Sequence, residues 1–320
     1  MREIQITEIT GLLVGHAHNM RAGTGCTVVI TAEGATAGVD VRGGAPGTRE
    51  TDLLNPVNMV EQIHAVLLAG GSAFGLDAAA GIMQYLEERK IGFNVQLTNV
   101  PIVCGAVLFD LFAGDYKIRP DREMGYQACL NAEKKELLQG SVGAGTGATI
   151  GKVLGHGNAM KGGFGSYFLQ TGDLQVGAMV AVNCFGEVID PVSGKIIAGV
   201  LSEDKKSLLR TEQMMLKQGN NNDRSALNTT IGVLFTNATL TKAQAQKIAG
   251  IAHNGYARTI QPAHTMVDGD TIFTMATGQV EADLNLIGLL AVKVVEKAVI
   301  RAIKAADSRY GFKSYSDLNL

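Results

Sequence analysis

Forty of the 320 residues are glycine, roughly one in eight where ~7% is usual. They follow no Gly-X-Y period and form no Gly/Ser linker, so neither a collagen-like chain nor a tether accounts for them. What remains is a packed fold with many tight turns, in which backbone approaches backbone with no side chain between. A hydrophobic content of 46% and a charged content of 18% agree with a globular chain long enough to bury a sizeable core.

The formal net charge of −2 and the lack of an extended basic run argue against nucleic acid or an anionic membrane as partner. Cys26, Cys104, Cys129 and Cys184 are far apart and lie in or beside apolar runs. No CxxC spacing suggests metal or redox work, so buried free thiols in a reducing, cytoplasmic compartment are expected. The N-terminus Met1-Arg2-Glu3-Ile4 lacks the charged and apolar regions of a signal peptide. The longest apolar stretch, Leu284 to Ala306, contains Lys293, Glu296, Lys297, Arg301 and Lys304. It reads as an amphipathic helix buried on one side and not as a membrane span.

Along the chain, Cys26 to Ile30 and Ala35 to Val41 read as two strands around the turn Glu33-Gly34. Val57 to His64 reads as a helix, Ala65 to Leu68 as a short strand, and Ala73 to Glu88 as a helix with Ser72 as its N-cap. Ser72 does not fit a nucleophile elbow, because G-x-S-x-G would need glycine where Phe74 stands. A strand-rich part, Ile102 to Leu111, leads to a helical stretch near Glu123 to Leu138. Ser166 to Gln170 and Gln175 to Asn183 pair across a turn, and Thr230 to Thr236 and Thr271 to Ala276 are further strands. Thr241 to Tyr256 is a helix, and the last helix carries Ile287, Ala291, Val294, Val295, Ala298 and Ile303 on one face. Strand pairs with helices grouped between them suggest α+β layers over 1–320 as one domain, more than a doubly wound βαβ series.

Several motifs tempt a chemical reading. The glycine-dense segment Gly140 to Lys152 fails the Walker pattern, which needs glycine at 146 and Ser or Thr at 153, where Thr146 and Val153 stand. It fails the dinucleotide fingerprint as well. His16-x-His18 is too few ligands for a metal, and no metal or cofactor is expected. Asp268-Gly269-Asp270 sits in a turn before an apolar strand, so both carboxylates can face one site, where repulsion raises one pKa; on spacing alone a solvated turn is the favoured reading. At Asn228-Thr229-Thr230 a polar run, Gln218 to Ala226, gives way to a β-branched strand. Taken alone, that is an ordinary loop-to-strand boundary.

Read together, these pieces resemble one family. Arg42-Gly43-Gly44-Ala45-Pro46-Gly47-Thr48-Arg49-Glu50, Leu68 to Ala79, Gly147-Ala148-Thr149-x-Gly151-Lys152, Val182-Asn183-x-x-Gly186, Asn228-Thr229-Thr230 and His264-Thr265-x-x-Asp268-Gly269-Asp270-Thr271 look like the DmpA family. That family comprises L-aminopeptidase/D-amidase/esterase enzymes, β-peptidyl aminopeptidases and nylon-oligomer hydrolases. The resemblance spans nearly the whole chain in order. It implies a four-layer α/β/β/α sandwich like that of N-terminal-nucleophile hydrolases, and self-cleavage into fragments 1–228 and 229–320. Thr229 then matches the nucleophile, freed by scission after Asn228, with its own α-amine as base near pKa ~7.7–8. Asn183 matches the oxyanion donor. Lys152, Asp268 and Asp270 match a lysine and an acid pair of the nylon-oligomer branch, in roles of charge stabilisation, amine orientation or self-cleavage. The polar run before Thr229 reads as the exposed tail of the larger fragment.

Val107 and Phe109 depart from the acid and tyrosine that several aminopeptidase members carry near the substrate amine, leaving Phe109 as an apolar substrate contact. Hydrolysis of a peptide or small amide is therefore implied more firmly than removal of an N-terminal amino acid. Ornithine acetyltransferases share the architecture and the threonine, so acyl transfer is a second reading. A non-catalytic small-molecule binder using the Gly143 to Lys152 loop is a third. The family also implies a homo-oligomer, a tetramer or larger.

Overall fold

The computed structural model describes residues 1–219 and 228–318, so the polar run ahead of Thr229 falls almost entirely outside the described residues. Eight strands carry the main sheet: β1 (Leu13–Asn19), β2 (Thr24–Val41), β3 (Gln62–Ala69), β4 (Val103–Val107), β5 (Gly163–Thr171), β6 (Leu174–Asn183), β7 (Thr229–Ala238) and β8 (Thr271–Val280). Hydrogen bonding runs β5-β6-β7-β8-β2-β3-β4, β1 pairs with β2, and two-residue strands at Arg2–Glu3 and Thr48–Arg49 close the ends. The helices are α1 (Ala78–Glu88), α2 (Arg122–Ala132), α3 (Thr211–Gln218), α4 (Lys242–Thr259) and α5 (Leu284–Lys304).

Side-chain alternation divides the sheet into two facing layers. Phe164 and Phe168 of β5, Met179 and Ala181 of β6, and Ile231, Val233 and Phe235 of β7 pack against Val29, Val66, Leu68, Cys104 and Ala106 from the β1–β4 side. The alternate residues of β6 (Val176, Val180, Val182) bury under α4 and α5. Those of β2 and β3 (Cys26, Val28, Leu67, Ala69) bury under α1 and α2. The result is an α/β/β/α sandwich. The strand β2 joins the two inner layers. It is one 18-residue strand and not the expected pair, because the register shifts between Ile30 and Ala35 without breaking the ladder. Its first half pairs with β1 and β3, its second half with β8.

The predicted face of α5 is buried as a whole, and Asp283 caps the helix by accepting from Leu286 N at 2.9 Å. Glycine explains how closely it sits: a Cβ on Gly165 of β5 would collide with the carbonyl of Ala298 and the backbone of Ala302 in α5. Three further expectations are corrected. Residues 57–64 are not helical: turns around Asn55 and Asn58 leave Val57 and Met59 exposed, and β3 starts at Gln62. Short apolar runs fit either period, and sheet pairing decided this one. Ser72 does not cap a helix: it has φ +55°, its backbone N–H donates to Leu108 O, and a 3-10 turn (Ser72–Asp77) precedes α1. The helix expected near Glu123 to Leu138 stops at Ala132.

Candidate active site

The strand β7 begins at Thr229, directly opposite Asn183 at the end of the antiparallel strand β6. Both continue the alternation that points Met179, Ala181, Ile231 and Val233 between the sheets, so both project inward at one end of the sandwich. Directly paired residues hold their Cβ atoms about 4.5–5.5 Å apart. This registry brings together two residues 46 positions apart in sequence.

Asn183 is held by its neighbours. Its Oδ1 accepts from Thr149 N at 2.9 Å and from Lys152 Nζ at 3.0 Å, which leaves the Nδ2 edge as the donor side. That Nδ2 donates to the Phe109 carbonyl at 3.0 Å. Lys152 Nζ also donates to the carbonyls of Asn183 at 2.9 Å and Thr149 at 3.1 Å. Burial pushes the Lys152 ammonium down to about 7, against the upward pull of Cys184, Asp268 and Asp270. The segment Gly143 to Lys152 is buried throughout, so it packs as internal structure and is not an open phosphate or ligand loop.

Asp268 and Asp270 lie in the turn just ahead of β8, beside the start of β7. Asp270 Oδ1 accepts from Thr230 N at 2.7 Å, and its Oδ2 accepts from His264 N at 3.0 Å with His264 Nδ1 at 2.9 Å. Asp268 Oδ1 accepts from Phe185 N at 3.1 Å, and its Oδ2 accepts from the backbone and hydroxyl of Thr265. Burial first, and repulsion from Asp270 second, raise the Asp268 carboxyl to about 6. The two acids therefore share a turn but hold different segments: Asp270 holds the start of β7 and His264, and Asp268 holds Phe185, just after β6, and Thr265.

Between them lies a residue that sequence reasoning passed over. Gly269 N donates to the Asn228 carbonyl at 3.0 Å, and the Thr229 hydroxyl contacts that same carbonyl oxygen. A Cβ on Gly269 would stand 2.7 Å from Thr229 Oγ1 and 2.7 Å from Ala45 O, so only glycine fits beside the hydroxyl. The glycine inside Asp-Gly-Asp was the available signal. The other missed residue is His264, whose link to Asp270 crosses a turn that spacing does not define.

Phe109 lies at the edge of this cluster. Its carbonyl takes the Asn183 amide, its ring is 5.8 Å from that of Phe112, and Phe112 lies 3.9 Å from the His156 ring at a tilt of 32°. Val107 instead packs in the core beneath α1 and α2. His16 and His18 do not gather at the site: His16 Nδ1 is 2.9 Å from Thr27 Oγ1, and His18 Nδ1 accepts from Gly143 N at 3.3 Å. Among the described residues, no group of three or more His, Cys, Asp and Glu could hold a metal ion, and no helix is long and apolar enough to cross a membrane.

Comparison with known proteins bears on what this cluster does. The model of peptidase family S58 matches residues 5–316. The chain is 43% identical to an uncharacterized aminopeptidase of Mycobacterium leprae, over 97% of this chain and 92% of that protein. It is 31% identical to a 6-aminohexanoate-oligomer endohydrolase of Kocuria sp., over 95% of this chain and 87% of that one. In fold it is similar to the L-aminopeptidase D-Ala-esterase/amidase of Ochrobactrum anthropi, described as a variant of the Ntn-hydrolase fold, with a TM-score of 0.70 at 20% identity over 95% of this chain and 87% of that chain. The sandwich is thus of the Ntn-hydrolase type, and the chain belongs to peptidase family S58, the DmpA family its motifs resemble, and is a hydrolase of amide bonds.

Proposed function

We propose that this protein is a self-processing amidohydrolase in which scission of the Asn228–Thr229 bond frees Thr229 as the nucleophile and leaves fragments 1–228 and 229–320 associated. One observation carries this: the Thr229 hydroxyl lies against the carbonyl of the bond to be broken, and Gly269 N–H already donates to that carbonyl at 3.0 Å. Attack of Oγ1 on the Asn228 carbonyl carbon puts negative charge on an oxygen that this N–H stabilises. The C–N bond then breaks as the nitrogen takes a proton, leaving Asn228 as an ester on Thr229. Water hydrolyses the ester to the Asn228 carboxylate and the Thr229 hydroxyl, beside the amine already freed by the C–N cleavage.

Before scission that nitrogen is an amide and has no basicity, so another group must take the hydroxyl proton. Lys152 fits the task, since its Nζ sits on Asn183, the residue paired with Thr229, and burial pushes it to about 7. After scission the α-amine, with an ordinary pKa near ~7.7–8, takes over as base and hands the proton to the departing amine of the substrate. Asn183 Nδ2 serves as oxyanion donor, and the Phe109 and Phe112 rings bound the acyl side. Val107 packs in the core and Phe109 is apolar, so neither of these two positions offers an acid or hydroxyl to anchor a substrate amine, which favours short amides and oligomers over strict aminopeptidase action. Membership in a peptidase family favours water over an amine as acyl acceptor.

The test is a denaturing gel with N-terminal sequencing of purified protein. Two fragments, the smaller starting at Thr229, are expected; an intact chain that still hydrolyses amides overturns the nucleophile assignment. A second prediction concerns pH. Only neutral Lys152 accepts a proton, so as pH rises through about 7 the scission rate of fresh precursor rises, about tenfold between pH 6 and pH 8. Asp268, raised to about 6, also titrates in the lower part of that range, so the slope is read mainly between pH 7 and pH 8 and against the Lys152 variants. Lys152→Met and Lys152→Arg are expected to cleave slowly and without that slope; an unchanged slope in Lys152→Met removes Lys152 as the base.

Four buried, unpaired cysteines suit a cytoplasmic site of action. Assembly of associated fragments into a tetramer or larger is part of the same proposal and is read by light scattering.

A further inference from the structure

Behind Thr229, on the opposite face of β7, lies a buried polar group that the chemistry above does not use. Thr230 and Gly232 point to this face, and Tyr256 of α4 comes up beneath them, close enough that a Cβ on Gly232 would stand 2.6 Å from the Tyr256 hydroxyl. His253, also of α4, and His264 complete the group, with ring centroids 4.8 Å apart and the His264 ring 6.4 Å from that of Tyr256. His264 Nε2, His253 Nδ1 and the Tyr256 hydroxyl are buried with no hydrogen-bond partner among the described residues. The one polar contact that sets the His264 ring is therefore Nδ1 against Asp270 Oδ2, at 2.9 Å.

Residue 264 also adopts φ +58°, in the left-handed region that few residues other than glycine enter, histidine being one of those enriched there. In this conformation its backbone N–H and its ring Nδ1 converge on the same carboxylate oxygen. Asp270 is thereby held from one side by His264, while its other oxygen accepts from Thr230 N at 2.7 Å. That N–H belongs to the Thr229–Thr230 peptide, the plane adjoining the α-amine of Thr229. Fixing that plane fixes ψ of Thr229, and with it how the amine and the side chain, carried on one Cα, are together presented to Asn183 across the β6–β7 pair.

We infer that His264 is a positioning residue for the nucleophile: its Nδ1–H locks the Asp270 carboxylate, which locks the Thr229–Thr230 peptide plane and so fixes how Thr229, amine and hydroxyl together, is presented to the Asn183 side of the site. His264 touches neither substrate nor Thr229 and moves no proton in this scheme. The inference rests on Thr229 acting as an N-terminal nucleophile. Small misplacements of a reacting group are costly in rate, so losing the lock is expected to lower kcat about tenfold. KM is expected to change little, because the substrate's own contacts are untouched.

The experiment compares His264→Phe with His264→Asn. Phenylalanine keeps a ring against His253 and Tyr256 but has no donor. Asparagine carries an amide N–H at the Nδ1 position and tolerates the left-handed backbone. Each protein is assayed with the fastest substrate from a panel of L-, D- and β-amino-acid p-nitroanilides. Rates are referred to the cleaved fraction counted on a gel, and thermal melting is recorded beside them. The expected result is a His264→Phe kcat about tenfold below native with KM within about twofold, and recovery of most of the rate in His264→Asn.

A native kcat in His264→Phe overturns the inference, and so does an equal loss in both variants. If His264→Phe does not fold, His264→Gln takes its place with the same expectation, since its amide reaches the Nε2 position and not Nδ1. Thr229→Ala runs in parallel to separate the two assignments. Hydrolysis by that variant removes the nucleophile itself, whereas an inactive Thr229→Ala beside a fully active His264→Phe removes only the role of His264.

Discussion

Thr229→Ala is expected to remain a single 33.7 kDa chain on a denaturing gel and to lose amide hydrolysis by a factor on the order of 10⁴ or more. The residue supplies both reacting groups in the proposed chemistry, the hydroxyl in both stages and the amine in the second. Alanine removes the attacking atom, so the Asn228 carbonyl keeps its bond to Gly269 N with nothing to attack it. Removing one methyl and one hydroxyl from a buried strand position leaves the pairing with Asn183 and the hydrogen bond from Thr230 N to Asp270 in place. A native-like circular dichroism spectrum should therefore accompany the loss. Thr229→Ser keeps the hydroxyl and is expected to cleave and turn over. Retained hydrolysis in an intact Thr229→Ala chain points to a different nucleophile.

Asn183→Ala is the second large effect. Its amide is oriented by two donors on its oxygen, Thr149 N at 2.9 Å and Lys152 Nζ at 3.0 Å. With Oδ1 held this way, Nδ2 is preset as a donor before substrate arrives, and preset donors need no reorganisation as charge develops. Loss of one such donor typically lowers kcat by about 10²–10³-fold, with KM nearly constant because the donor acts on the transition state. The same substitution leaves Thr149 N–H and one Lys152 contact without their acceptor, a cost of about 1–3 kcal/mol that a lowered melting temperature should register. A kcat within a few-fold of native, measured on the cleaved protein, rules out the oxyanion role.

Some of this was legible residue by residue. The alternation in Gln175 to Asn183 and Thr230 to Thr236 marks strands whatever their partners, because period two is a property of the extended chain itself. The apolar stripe Ile287 to Ile303 marks a buried helix for the same kind of reason, and both stand in the structure. The stretch Val57 to His64 misled because eight residues are too few to separate a helical from a strand period, and pairing of β3 with β2 and β4 decided it. The two strands expected around Gly34 are one, since a register shift absorbs the irregularity that looked like a turn.

The site divides along the same line. Sequence alone determined the inventory: a threonine preceded by asparagine at a strand start, a glycine between two aspartates, and glycines where backbones must touch. These are local statements, and local chemistry suffices for them. Only the tertiary structure decided which residues meet. The β6–β7 registry sets Asn183 opposite Thr229, and a one-residue slip of β7 would turn Thr229 to the far face, away from Asn183. The parallel pairing of β7 with β8 brings Gly269 N to the Asn228 carbonyl and places Asp270 against Thr230. A fold across that turn sends His264 back onto Asp270. Distances of this kind depend on how whole strands are stacked, and nothing in the spacing of residues along one chain encodes them.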